Sequence, residues 1–171
     1  KPAIQWKIDR IEVCNPIRFT NIRRNEVKSK LSASNAKSAM TGGAPIQPIY
    51  TSEDIQQRAS LVLRDVRYRI SAHFEMTDNA GDTEKHYNIA LRRLRQGQYF
   101  YHPYFGCREF PAHFRLIEND EEESPALHED RDLGFMLYDL DYSNPQDIQP
   151  TFFRAVMQDG AIDLTKCEVK K

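Results

Sequence analysis

The stretch LRDVRYRISAHFEM (residues 63–76) carries the clearest alternation in this chain. Val66, Tyr68, Ile70, Ala72, Phe74 and Met76 share one phase, and Asp65, Arg67, Arg69, Ser71, His73 and Glu75 share the other. Successive side chains of a strand point to opposite faces, so the pattern predicts one continuous strand. One face is core and the other displays Arg67, Arg69 and His73. A turn, TDNAGD (77–82), follows, and the period then changes. Tyr87, Ala90, Leu91 and Leu94 recur at i, i+3, i+4 and i+7, which predicts an amphipathic helix whose Arg92, Arg93 and Arg95 lie mostly off the apolar face. Asp82 or Thr83 is the expected N-cap and Gly97 the C-terminal stop.

Working outward, IQWKIDRIEV (4–13) holds Ile4, Trp6 and Ile8 in one phase and Ile11 and Val13 in the other. That is a strand with a bulge near Asp9–Arg10. Residues 20–51 are rich in Ser, Asn, Ala, Gly and Pro and read as a long basic loop. After the helix, Phe110, Ala112, Phe114 and Leu116 alternate as a strand. LGFMLYDLDY (133–142) and TFFRAVMQDGAIDL (151–164) read as closing strands, with Asp159–Gly160 suited to a tight hairpin turn. The whole predicts an α+β fold with a mostly antiparallel sheet.

The 171 residues are 40% hydrophobic and 29% charged, a globular composition. No apolar run approaches the roughly 20 residues that span a bilayer, and no secretory segment is visible, so no membrane partner is expected. Cys14, Cys107 and Cys167 are odd in number and lack a CxxC spacing. They fit neither a disulfide framework nor a zinc knuckle, and suit a reducing, cytoplasmic setting. Net charge is only −1, but residues 18–37 carry +5 and residues 118–132 carry −7. Such segregation suits either a basic surface for a polyanion or two solvated loops of opposite sign.

The five histidines (His73, His86, His102, His113 and His128) show no metal-ligand spacing, and no phosphate-loop or dinucleotide fingerprint is present. The expectation is no metal and no cofactor. Cys107, in FGCREF, reads as a packed or half-exposed thiol before a nucleophile. Lys85–His86 stands out, because a lysine in a first helical turn opposes the macrodipole. If Thr83 caps, Lys85 is N2 and His86 is N3. The pair is either ordinary surface or a phosphate site, since helix N-termini bind anions and neutral imidazole accepts protons. A base, an acid and a cation at one phosphate are the parts for metal-free RNA cleavage. Arg67, Arg69 and the helix arginines read either as a solvated face or as phosphate contacts. Tyr99, Phe100, Tyr101 and Tyr104 read either as core or as base-stacking platforms.

Five blocks in order, KPAIQWKIDRIEVCNPIRFTNIRRNEV, RASLVLRDVRYRISAHFE, KHYNIALRRLRQGQYFYHPYFGCREFPAHFRL, RDLGFMLYDLDY and FFRAVMQDGAIDL, resemble the CRISPR-associated Cas-five family, subtype I-C. GCREFPAHF together with DLGFMLYDLD makes the resemblance specific. It implies an RRM-like (ferredoxin-like) domain, here over 1–117, and a C-terminal β region, here over 133–171, with the acidic loop 118–132 between them. It also implies a metal-independent endoribonuclease that cleaves the repeat hairpin of precursor CRISPR RNA and keeps the 5′ handle. The enzyme would then serve antiviral defence as a Cascade subunit beside backbone and large subunits, with target DNA in the assembled complex. The alternative is a non-catalytic subunit that caps the handle. The family's Lys-His pair falls on Lys85 and His86, implying His86 for proton transfer and Lys85 for phosphorane stabilisation. RNA contacts are expected at Arg23, Arg24, Lys28, Arg67, Arg69, Arg92, Arg93 and Arg108. The family's first strand, first helix and a tyrosine implied as a third catalytic residue have no counterpart in these residues. The expectation is a trimmed version of a longer protein. Tyr87 is not a substitute, because its helical phase points toward the core.

Overall fold

The computed structural model describes residues 3–77, 81–118 and 126–170. The centre of the expected turn (78–80) and residues 119–125 of the acidic loop lie outside them. In chain order the elements are β1 (Ile4–Val13), β2 (Arg18–Val27), α1 (Ala33–Met40), β3 (Ile55–Arg64), β4 (Tyr68–Met76), α2 (Thr83–Arg95), β5 (Arg131–Asp141), β6 (Gln149–Gln158), β7 (Ala161–Asp163) and β8 (Val169–Lys170). They form two units, residues 16–66 and the remainder.

The larger unit is built on an antiparallel sheet in the order β4-β1-β7-β6-β5, with β8 paired to β6. The expected bulge is present. Ile8 pairs with Ala72 and Arg10 with Ser71, leaving Asp9 as the extra residue. That one residue restores the phase, so Ile11 and Val13 stay on the face of Ile4, Trp6 and Ile8, where a regular strand would turn them over. The Asp9 carbonyl accepts from the Leu164 N–H at 2.8 Å, so the bulge also anchors the chain after β7.

The core sits at β6 and β7. Thr151, Phe153, Ala155 and Met157 are buried on one face of β6, and Phe152, Arg154, Val156 and Gln158 are exposed on the other. The Thr151 hydroxyl donates to the Asp139 carbonyl at 2.9 Å, which meets its need for a partner when buried. Asp159 and Gly160 turn the chain with φ of 48° and 74°, the two positive angles that a two-residue hairpin demands.

Four sequence expectations are corrected. The stretch 63–76 is two strands, not one. Asp65 sits at φ 53°, a left-handed conformation that Asp tolerates, with its carboxylate on Arg64 Nε at 3.0 Å. β3 ends before it and β4 begins after it, in separate sheets. The expected core face is only partly covered, on β4 and on its interior neighbour β1 alike, where Trp6 and Ile8 are about half exposed. No β4 side chain is fully buried, and Ile70 is 56% exposed. Residues 20–51 are not one loop. β2 pairs with β3 over ten residue pairs, from Arg18↔Arg64 to Val27↔Ile55, and the Ala- and Ser-rich α1 lies between them. Cross-strand hydrogen bonding supplies there what a weak apolar pattern did not announce. Residues 110–116 form no strand. Phe105 N–H donates to Phe110 O and Ala112 N–H to Pro103 O, so local bonds fold 103–112 on itself.

Candidate functional site

Asp82 is the N-cap of α2, with extended backbone and its carboxylate accepting from the Glu84 N–H at 3.0 Å. Thr83 is therefore N1, Lys85 N3 and His86 N4, each one place later than a Thr83 cap would put them. The cap carboxylate uses one of the free N–H groups a phosphate would seek, and the His86 N–H lies 3.4 Å from the Asp82 carbonyl. Gly97, at φ 63°, follows the cap residue Gln96, as the sequence predicts.

At about 100° per residue, Lys85 and Arg92 share one azimuth and His86 and Arg93 the next. The four form a stripe about 120° wide, with each seven-residue step rising about 10 Å. Ala90, Leu91 and Leu94, on the other side, are half-buried. Tyr87 belongs to that apolar set by phase yet is 54% exposed, and no α2 side chain is fully buried. Lys85, His86, Arg92 and Arg93 have no side-chain hydrogen bond or ion pair among the described residues. Arg95 differs. Its guanidinium grips Glu118 through two bonds of 2.8 and 2.7 Å, which hold its own pKa up and the Glu118 carboxyl below its usual value.

The other expected RNA contacts fall in separate places. Arg23 and Arg24 lie on β2 and Lys28 just beyond it, within the smaller unit. Arg69 on β4 is partly buried in an ion pair with Glu12. Arg67 precedes β4, where its carbonyl accepts from the Cys14 N–H at 2.9 Å. Arg108 lies in the folded-back segment 103–112. The aromatics around it form a ring cluster: Tyr99 meets His102 edge-on at 4.9 Å and Phe114 at 6.4 Å, and Phe100 meets Tyr101 at 4.7 Å. Phe105 seats this segment on the sheet through an edge contact with Tyr68 at 5.8 Å, where burial pushes the Tyr68 phenol up from its ordinary value.

One carboxylate–imidazole pair escaped the sequence reading. The Asp9 carboxylate lies 2.8 Å from His73 Nδ1 on the polar face of β1 and β4. The bulge was the available signal, because an extra residue re-aims a side chain toward the neighbouring strand. Among the described residues no three or more His, Cys, Asp or Glu side chains gather as a metal site. No helix among them is long and apolar enough to cross a membrane.

A model of the CRISPR-associated protein family Cas_Cas5, of the Cas5d type, matches residues 1–165. The chain is 46% identical over 173 residues to the CRISPR pre-crRNA endoribonuclease Cas5d of Mannheimia succiniciproducens, covering 96% of this chain and 76% of that protein. It is 31% identical over 182 residues to the protein of the same name from Thermus thermophilus, covering 96% and 72%. In fold it is similar to a functionally uncharacterized protein of Streptococcus mutans, with a TM-score of 0.64 at 23% identity over 100% of this chain and 77% of the other. A second crystal structure, described as that of a CRISPR-associated protein, has a TM-score of 0.61 at 21% identity, again over 100% and 77%. With nearly the whole chain matched by the family model and by a relative sharing almost half its residues, the protein belongs to the CRISPR-associated Cas5 family, in its Cas5d branch.

Proposed function

We propose that this chain processes precursor CRISPR RNA as an endoribonuclease, with His86 and Lys85 as its reacting pair. The observation that carries the reading is the Lys85–His86 step at the capped start of α2, without a side-chain partner among the described residues and continued along the same side by Arg92 and Arg93. The names of the two curated relatives support the activity. In the reaction, the 2′-hydroxyl loses its proton to a base and attacks the adjacent phosphorus. The 5′-oxygen leaves with a proton from an acid, giving 2′,3′-cyclic phosphate and 5′-hydroxyl ends. His86 transfers protons in this scheme, and the Lys85 ammonium offsets the charge that builds on the phosphorane oxygens. Arg92 and Arg93 hold neighbouring phosphates, and no metal takes part.

The same reading makes the β1–β4 pair with α2 an RRM-like half and β5 to β8 a C-terminal extension. It places the protein in the cytoplasm on the 5′ handle, within a type I-C surveillance complex that meets target DNA.

The test is incubation with a labelled repeat hairpin in excess chelator, repeated with His86→Ala. Cleavage to cyclic-phosphate and 5′-hydroxyl ends, reduced at least about 100-fold in the variant while binding persists, is the expected result. RNA that is bound but never cut would leave the chain as a structural holder of the handle.

A further inference from the structure

We infer that the folded-back segment 103–112 and the residues before it form a receptor for one unpaired ribonucleotide. The inference rests on the RNA-binding reading above, but not on where cleavage occurs. Tyr101, His102, Tyr104, Arg108 and Pro111 line a cleft of about 510 Å³. That volume lies within the usual range for sites that hold a small ligand. Three kinds of chemistry converge there. Tyr101 is 76% exposed and Tyr104 is also exposed, so both rings present surface on which a base can stack. Arg108 has no side-chain partner among the described residues, and no carboxylate lines the cleft, so a phosphate finds an uncommitted cation. The His102 Nδ1 lies 2.8 Å from the Pro103 carbonyl, which can only accept, so Nδ1 carries the hydrogen, and in that tautomer Nε2 is an acceptor. An acceptor beside a stacked base suits a ribose 2′-hydroxyl donor, the group that separates RNA from DNA.

The receptor is braced before any ligand arrives. His102 is held by Tyr99 at 4.9 Å and His113 at 6.4 Å, and Phe105 ties the segment to Tyr68. Bonds from Phe105 N–H to Phe110 O at 2.8 Å and from Ala112 N–H to Pro103 O at 2.9 Å fix its backbone. A backbone and an imidazole held in advance lose little entropy on binding. The larger cleft of about 700 Å³ on the open face of β6 is a weaker candidate for RNA, because its arginines are engaged: Arg154 with Asp132 and Arg10 with Glu12.

Binding of fluorescently labelled oligoadenylate, ribo and deoxy, to the full chain carrying His86→Ala tests this without interference from cleavage. Tyr101→Ala and Tyr104→Ala are each expected to weaken ribo-oligoadenylate roughly 5- to 150-fold, the loss when a stacked base loses its platform. Tyr101→Phe, which keeps the ring, stays within twofold. Arg108→Gln flattens the slope of log K against log salt by about 0.7, the share of one single-strand phosphate contact. His102→Phe narrows the preference for ribo over deoxy. Affinities within twofold of the parent in both alanine variants, or a salt slope unmoved by Arg108→Gln, would overturn the proposal. Rings needed only for capture of a partner protein, with RNA binding unchanged, would overturn it equally. If His86→Ala cleaves normally yet these variants bind poorly, the catalytic assignment fails and the receptor stands.

Discussion

The carboxylate of Asp82 accepts a hydrogen bond from the Glu84 N–H at 3.0 Å, one residue before Lys85 and two before His86. This contact sets where the first turn of α2 begins, and so the azimuth from which both side chains project. The turn has little else to hold it, since none of the helix side chains is fully buried. Removing the cap as Asp82→Ala is expected to cost about 1 kcal/mol of helix stability. Amide exchange over residues 83–87 rises, and kcat for repeat cleavage falls more than KM changes. Asp82→Asn, which still caps, keeps most of the activity. Equal loss in both variants would assign the effect to charge and not to capping.

Arg92 and Arg93 have no side-chain partner among the described residues, whereas Arg95 is committed to Glu118 through two bonds. Replacing Arg92 or Arg93 by Gln is expected to weaken RNA binding across sequences and to reduce the salt slope by about 0.7 to 0.9 per residue. Arg95→Gln moves that slope much less, because its guanidinium already has a carboxylate. Titrations at several salt concentrations distinguish the three variants.

A Cβ on Gly160 would lie 1.8 Å from the Leu127 carbonyl oxygen, at a φ of 74° that side chains rarely adopt. The same residue accepts from the Val13 N–H and donates to the Glu129 carbonyl, so the backbone has no room to move away. Gly160→Ala is expected to cost at least about 2 kcal/mol, lowering the thermal midpoint by roughly 5 °C or more. An unchanged midpoint would mean that residues 127–129 shift freely.

Acid should destabilise the larger unit through three carboxylates. Arg154 and the Gly134 N–H hold Asp132 below its ordinary pKa, Arg95 does so for Glu118, and the Thr165 hydroxyl and N–H do so for Asp163. Each folded-state value is depressed, so the unfolded chain binds protons first as pH falls. The stabilisation is complete above the ordinary carboxylate range, near pH 4, and is lost as pH drops through the depressed values. Urea denaturation between pH 7 and pH 3 is expected to give a flat stability down to about pH 5 and a decline below pH 4. Arg154→Gln removes part of that decline. All three carboxylates are exposed, so each contribution is small and falls with salt.

Elements whose information is local were legible in the chain itself. Phase change in β1 announced its bulge, Asp159–Gly160 announced the hairpin into β7, and the 3.6-residue recurrence from Tyr87 to Leu94 announced α2. The Lys85–His86 pair and its basic continuation followed from that recurrence. Resemblance across the five blocks gave the pair its proposed role, which local chemistry had left open.

Tertiary structure decided what depends on partners distant in sequence. β2 became a strand because β3, some 30 to 45 residues away, supplies its ladder, while its own sequence is too polar to demand a face. Asp65 divided the strongest alternation in the chain, since an aspartate accepts both extended and left-handed backbone and only its neighbours choose. Residues 110–116 alternate in composition, but among the described residues they join a neighbour only at the single bridge of Pro111 to Tyr104, and an alternation without a continued ladder is not a strand. The cap choice between Asp82 and Thr83 was likewise made by one hydrogen bond, and it moved Lys85 and His86 by one position along the helix. Sequence named the candidate pair; the folded backbone set the direction in which it points.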